Sequence, residues 1–338
     1  MKAYRIVSDA GVPDAIARRD VDEPSGLLPH EVLVEVHACS LNFRDLIVTK
    51  GGYPRNDTSP VVPLSDASGE VVGVGSAVTK WSEGDRVMPN FLARHFAGGL
   101  TEEAARSSLG GGLQGVLAER IVAEEDALVR VPTHLSHGQA ATLPCAGVTA
   151  WNALTSAGLK PGDTVLLLGT GGVSVFGLQL AHAAGATTIV TSSSDEKLEQ
   201  VRGLGADHTI NYANHPDWHQ EVRSLTGGRG VDNVLEVGGA GTLDRSLRSV
   251  RVGGTISLIG LLTDPDEQPS VLPALLNAQT IRGIYVGSVS QFEGLARAVE
   301  SCGIEPVIDR SFGFEEAVDA YAYLREQRHV GKVVIRVK

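Results

Sequence analysis

Residues 164–186, TVLLLGTGGVSVFGLQLAHAAGA, join an apolar run to a glycine-dense turn and then to a helical pattern, an order that few folds accommodate. The run at 165–168 is short and wholly apolar, which suits a strand buried on both faces. Val173, Phe176, Gly177, Leu180, Ala181 and Ala184 then recur at helical spacing. Gly169, Gly171 and Gly172 stand at the junction, with Val173 opening the helix. Glycines there let the chain turn tightly and approach a pyrophosphate, whose charge would meet free N–H groups and the positive helix end. Ser174 replaces the last glycine of G-x-G-x-x-G, so the fingerprint is incomplete, and an ordinary strand–turn–helix would look similar. The surroundings favour the dinucleotide reading. Strand patterns at 188–191, 231–237, 255–259 and 280–286 alternate with helical segments such as 195–204, as a doubly wound parallel sheet requires.

A coenzyme lacking a 2′-phosphate usually meets an Asp or Glu about 20 residues beyond the glycines, at the end of the second strand. Here that position reads Thr191, Ser192, Ser193, Ser194, with Lys197 a turn further on. Three hydroxyls and an ammonium favour NADP(H). NAD(H) stays open because no arginine is placed to clamp a phosphate, and Ser194 or Asp195 can equally cap the next helix.

The 338 residues are enough for two cores, and 42% hydrophobic with only 5% aromatic residues is ordinary globular composition. A formal charge of −11 argues against nucleic acid as a main partner. The amino terminus enters a strand-like pattern without an apolar signal core, and no run reaches membrane-spanning length, so a cytoplasmic protein with no membrane partner is expected. Three scattered cysteines, Cys39, Cys145 and Cys302, give no disulfide framework. Residues 1–126 carry short β-rich runs broken by Pro and Gly, and within them 95–114 reads as a mobile, glycine-rich lobe. The strand pattern at 331–337 is expected to return to this first domain, making it discontinuous: 1–126 with 289–338, around a coenzyme-binding domain at 127–288.

Ser40-Leu-Asn-Phe-Arg-Asp45, Gly52-Tyr53, Pro63-Leu-Ser-Asp-Ala-Ser-Gly-Glu-Val-Val72, Gly84-Asp-Arg-Val87, Leu143-Pro-Cys-Ala-Gly-Val-Thr-Ala-Trp151, Gly205-Ala-Asp-His208 and Gly331-Lys-Val-Val334 are each modest motifs. In this order and together with the glycine turn, they make the whole chain resemble the medium-chain dehydrogenase/reductase superfamily. The resemblance implies an α/β fold: a Rossmann doubly wound parallel sheet plus a discontinuous GroES-like β domain. Zinc-dependent members have metal ligands at positions that fall here on Asn42, Ser65 (with Asp66 beside it) and Cys145, and only the last is a good zinc donor. Residues 88–120 hold no cysteine for a structural zinc. No metal is therefore expected, and the chain looks like the zinc-independent branch of quinone oxidoreductases and enoyl reductases.

That branch transfers hydride directly from coenzyme to acceptor, with the reacting atoms about 3–3.5 Å apart. The expected function is NADPH-dependent reduction of a quinone or α,β-unsaturated carbonyl. Asn42 is the expected donor to the acceptor oxygen, or else a loop brace, and Tyr53 a second donor, a stacking ring or packing. Asp45 reads as structural, pairing with Arg44 or capping backbone groups. Thr149, Gly260, Gly287 and Ser288 join the coenzyme-binding set by resemblance, as does the backbone of Glu236-Val-Gly-Gly239. Relatives of this kind look like homodimers joined through the Rossmann sheet, which points to 280–286 as the edge. An alcohol or aldehyde dehydrogenase, disfavoured by Asn42 and Ser65, and a low-turnover NADP(H)-binding redox sensor are the alternatives.

Overall fold

The computed structural model describes residues 1–53, 60–260, 262 and 270–338. Its strands in chain order are β1 (Lys2–Ile6), β2 (Ile16–Asp20), β3 (Glu31–Ser40), β4 (Asp66–Val74), β5 (Arg86–Pro89), β6 (Arg120–Glu124), β7 (Leu128–Arg130), β8 (Thr164–Leu168), β9 (Thr187–Ser192), β10 (His208–Asn211), β11 (Val231–Glu236), β12 (Val250–Leu258), β13 (Thr280–Gly283), β14 (Ile308–Gly313) and β15 (Lys332–Arg336). The α-helices are α1 (Phe43–Val48), α2 (Glu102–Ala105), α3 (His137–Ala140), α4 (Val148–Ser156), α5 (Gly172–Ala183), α6 (Asp195–Gly203), α7 (Trp218–Leu225), α8 (Ala240–Ser249), α9 (Leu272–Leu276), α10 (Val289–Cys302) and α11 (Ala317–Arg325). Two compact units result, Met1–Val148 with Val286–Lys338, and Thr149–Tyr285.

In the first unit β14, β15, β3, β4, β5 and β7 lie side by side, β6 pairs with β3, and β1 and β2 form a separate hairpin. Alternation along β3 buries Val32, Val34, Val36 and Ala38, while the intervening residues stay partly exposed, the period-two pattern of a strand with one core face. Val36, Leu41, Leu64, Leu117, Tyr321 and Ile335 share one core cluster with residues from both ends of the chain. The carboxyl-terminal strand does return to this unit: β15 runs antiparallel to β3, with Val334 opposite Ser40, and parallel to β14. Residues 127–148 also belong here and not with the coenzyme-binding portion, because β7 pairs with β5 and α3 packs on β3 and β4. Their apolar texture resembles that of the α/β segments, and pairing across 40 residues is not visible locally.

The second unit is a six-stranded sheet in the order β10-β9-β8-β11-β12-β13, parallel throughout. All six residues of β11 are buried, as befits a strand covered on both faces. Leu166, Ile189, Val234 and Ile256 form its central cluster. Strand order reverses between β9-β8 and β8-β11, so the carboxyl ends of those strands flank the crevice where α/β sheets bind ligands. Among the described residues no helix is long and apolar enough to cross a membrane.

The segment 95–114, expected as a mobile lobe, is bonded into the first unit. The Val289 and Ser290 N–H groups donate to the His95 and Phe96 carbonyls, and Leu92 bridges to Ser108. Part of its glycine content marks tight packing: a Cβ on Gly110 would fall 2.5 Å from the Leu64 carbonyl oxygen, and one on Gly112 1.9 Å from that of Arg106, whereas one on Gly98 or Gly99 would meet nothing within 4 Å.

Candidate active site

Three adjacent strands end together in the first unit. The register of β15 on β3 carries the Val333 carbonyl to the Leu41 N–H, while β4 begins with Asp66 opposite Ser40. Lys332, Asn42 and Asp66 are therefore delivered to one place by the ladder itself. The Lys332 ammonium, 3% exposed, donates to the Leu41 carbonyl at 2.7 Å and to Asn42 Oδ1 at 2.5 Å, and lies 3.7 Å from Asp66 Oδ2. Asp66 is fully buried and accepts from Ser65 Oγ at 2.6 Å, Ser40 Oγ at 3.3 Å and the Cys145 N–H at 3.3 Å.

Asn42 occupies the N-cap of α1, and its backbone N–H is held by Asp45 Oδ2 at 2.8 Å. With its carbonyl committed to Lys332, the Asn42 amide keeps a buried Nδ2 that has no hydrogen-bond partner among the described residues. Asp45 also lies 3.3 Å from Arg44, so both expected structural roles are present. Burial lifts the Asp45 carboxyl to about 6, with Arg44 pulling against it. Tyr53 packs its ring on the Arg44 guanidinium, 4.4 Å from the ring centroid, with Phe91 on that group at 5.0 Å. Arg44 further donates to the Leu109 carbonyl, so Tyr53 is part of a cationic stack, the packing alternative of the sequence reading.

In the second unit the glycine turn at 169–173, Ser192 and Gly260, expected from the sequence to meet the coenzyme, follow or end strands β8, β9 and β12 at their carboxyl ends. Gly169 follows β8 with φ +74°, a left-handed conformation that favours glycine, and Gly171 caps α5, which opens with Gly172 and Val173. A Cβ at Gly169 or Gly171 would meet nothing within 4 Å, leaving the backbone bare for a ligand to approach. Ser174, the apparent defect of the motif, donates its hydroxyl to the Leu168 carbonyl at 2.6 Å. Close helix–sheet packing falls to Gly177, where a Cβ would stand 2.7 Å from Leu167 and Leu235. This cradle fits a dinucleotide pyrophosphate.

Ser192 ends β9, Ser193 is exposed, and Ser194 caps α6 by accepting from the Lys197 N–H. Asp195, the nearest carboxylate, is engaged by Asn211 Nδ2 at 2.7 Å. Sequence reasoning missed Tyr212, 42% exposed, whose N–H binds the Ser192 carbonyl and so sets it beside the serines; the signal was the unrecognised short strand β10. Gly260 follows β12 against the Val237 carbonyl. Thr149 is buried in the first turn of α4. The Gly238 and Gly239 N–H groups, expected to face the coenzyme, are taken by Glu236 Oε1 at 2.8 and 3.0 Å, and Thr242 and Ser246 complete that buried carboxylate. Gly287 and Ser288 lie in the first unit, the Ser288 hydroxyl accepting from the Gln291 N–H to cap α10.

Zinc needs about three good donors and an open position. Asn42 spends its carbonyl on Lys332 and Ser65 spends its hydroxyl on Asp66, so of the three positions only the Cys145 thiol is left as a good donor. A dication would also stand against the Lys332 ammonium. These residues do not fit zinc, and among the described residues no three His, Cys, Asp or Glu side chains are grouped to hold a metal.

The alcohol dehydrogenase GroES-like domain profile matches residues 28–133, and the zinc-binding dehydrogenase profile matches 172–326. A zinc-type alcohol dehydrogenase-like protein of Schizosaccharomyces pombe is 45% identical over 96% of both chains. An NADPH-dependent alkenal/one oxidoreductase of Arabidopsis thaliana is 32% identical, covering 99% of this chain and 79% of its own. The crystal structure of an NAD-dependent alcohol dehydrogenase superposes with TM-score 0.91 at 33% identity over the whole of both chains. The chain belongs to the medium-chain dehydrogenase/reductase superfamily, a family of oxidoreductases.

Proposed function

We propose that this chain reduces a quinone or an α,β-unsaturated carbonyl with NADPH and without a metal ion. The observation that carries the reading is the Asn42 amide: its Nδ2 is a buried donor with no partner among the described residues, on a side chain whose carbonyl is already used. Bound nicotinamide supplies the hydride. As hydride adds, negative charge builds on the acceptor oxygen, and a fixed N–H donor is worth most there. Asn42 supplies that donor, while Thr149, the glycine turn at 169–173 and Gly260 belong to the coenzyme side, with Gly287 and Ser288 assigned to it by resemblance. Ser193, Lys197 and Tyr212, with Asp195 engaged elsewhere, favour a 2′-phosphate over a bare ribose. The named relative from Arabidopsis thaliana supports the acceptor class.

The partners of this reading are a small-molecule substrate and a second copy of the chain, in the cytoplasm, with neither nucleic acid nor membrane. The homodimer rests on β13, an outer strand of the parallel sheet, and on Leu275 and Leu276, 78% and 74% exposed in α9.

Oxidation of NADPH and NADH by a panel of quinones, enones and aldehydes tests the reading. Turnover of quinones or enones with NADPH is expected, and Asn42→Ala should lower kcat by about 10²-fold while coenzyme affinity is kept. Reduction of aldehydes alone would favour the alcohol dehydrogenase alternative, and tight coenzyme binding without turnover the sensor.

A further inference from the structure

The Lys332 ammonium has three donors and no acceptor, so an amide facing it must present its oxygen. With Asn42 Oδ1 2.5 Å from Lys332 Nζ, the Asn42 NH₂ group has only one direction left, and there it is buried and unmatched among the described residues. A donor costly to leave unpaired is thus held ready by a neighbour that forbids the flipped amide. The lysine is itself fixed. Leu41 takes a second ammonium proton at 2.7 Å, and Asp66, braced by Ser65, Ser40 and the Cys145 N–H, balances the charge at 3.7 Å.

We propose that Lys332 is a positioning residue for the reduction: it orients the Asn42 amide toward the acceptor oxygen and, by drawing on the amide carbonyl, strengthens the Nδ2 donor. Hydrogen bonds in series polarise one another in this way in a medium of low dielectric. An ammonium carried on β15 thereby backs the donor at the place where the donor set does not fit zinc. The inference rests on the role given to Asn42 in the proposed function, and deepens it.

The test is a double-mutant cycle of Lys332→Met and Asn42→Ala, read with an enone or quinone that the wild type reduces. Lys332→Met is expected to lower kcat at least tenfold, with coenzyme KM unchanged, yet by less than twofold when Asn42 is already alanine. Lys332→Arg, which keeps the charge, should retain more activity than Lys332→Met. If Lys332→Met does not fold because Asp66 is left buried alone, the charge-neutral pair Lys332→Met with Asp66→Asn carries the same comparison. Equal losses in the wild-type and Asn42→Ala backgrounds would overturn the inference, since a merely structural lysine acts independently of the amide. An unchanged kcat in Lys332→Met while Asn42→Ala is impaired would overturn it alone, and an unimpaired Asn42→Ala would overturn it together with the proposed role of Asn42.

Discussion

Ser193 stands exposed at the end of β9 with Lys197 a turn along α6, and coenzyme preference is expected to follow these two side chains. A charge-assisted hydrogen bond contributes about 1.5–3 kcal/mol, so Lys197→Ala or Ser193→Asp should raise the KM for NADPH roughly tenfold or more and leave that for NADH nearly unchanged. Steady-state kinetics with both coenzymes checks it; equal effects on the two would remove the 2′-phosphate from this position. At Gly177 the expected effect is on stability. A valine there would push into Leu167 and Leu235 and cost about 1–3 kcal/mol, measurable by urea unfolding. At this scale the sequence was only partly readable. It located the glycine turn, but it took Ser174 as a flaw, when the hydroxyl closes onto the Leu168 carbonyl and the packing duty belongs to Gly177. Lys332 sat unread in a strand motif, because its neighbour Asn42 is 290 residues away.

Elements were the most legible level where periodicity was strong. The strands β8, β9, β11 and β13 and the return of β15 follow from apolar runs and their spacing, whereas β10 is four residues long, three of them polar, and easily missed. Glycine density at 95–114 has two sources, since flexibility and close backbone contact call for the same residue, and Gly110 and Gly112 serve the second. Hydrogen exchange should accordingly be slow at Gly112, whose N–H binds Ser108 Oγ, and fast over the exposed residues 96–100; fast exchange at both would restore the mobile lobe. The short helix α3 carries a pH effect. His137 stacks on His37 with ring centroids 4.2 Å apart, bonds to Ser68 at 2.8 Å, and is depressed to about 4 by burial first, then by His37 and Arg86. Folded His137 stays neutral while the unfolded chain takes up the proton below its usual value of 6.5, so this contribution to stability is full above pH 6.5 and is lost as pH falls toward 4. Asp45, raised to about 6, works in the opposite direction below that pH. The difference in urea midpoint between wild type and His137→Gln should therefore shrink as pH falls from 7 to 4.5, and a constant difference would contradict it.

For the whole molecule, the parallel sheet leaves β13 at one edge, α9 exposes Leu275 and Leu276, and the proposed dimer uses both. Leu275→Glu with Leu276→Glu should shift the protein toward monomer in analytical ultracentrifugation; an unchanged sedimentation profile would place the contact elsewhere or remove it. Fold and family follow from motif order along the entire chain, while the grouping of Lys332, Asn42 and Asp66, the proposed acceptor site, depended on register between distant strands, which no local pattern encodes. Metal independence is the central claim, and it is tested most directly by enone or quinone reduction with NADPH before and after exhaustive chelation, with metal content measured on the same samples. Unchanged kcat/KM with less than about one-tenth of an equivalent of metal per chain is the predicted result. Loss of activity on chelation, restored by zinc alone, would contradict it.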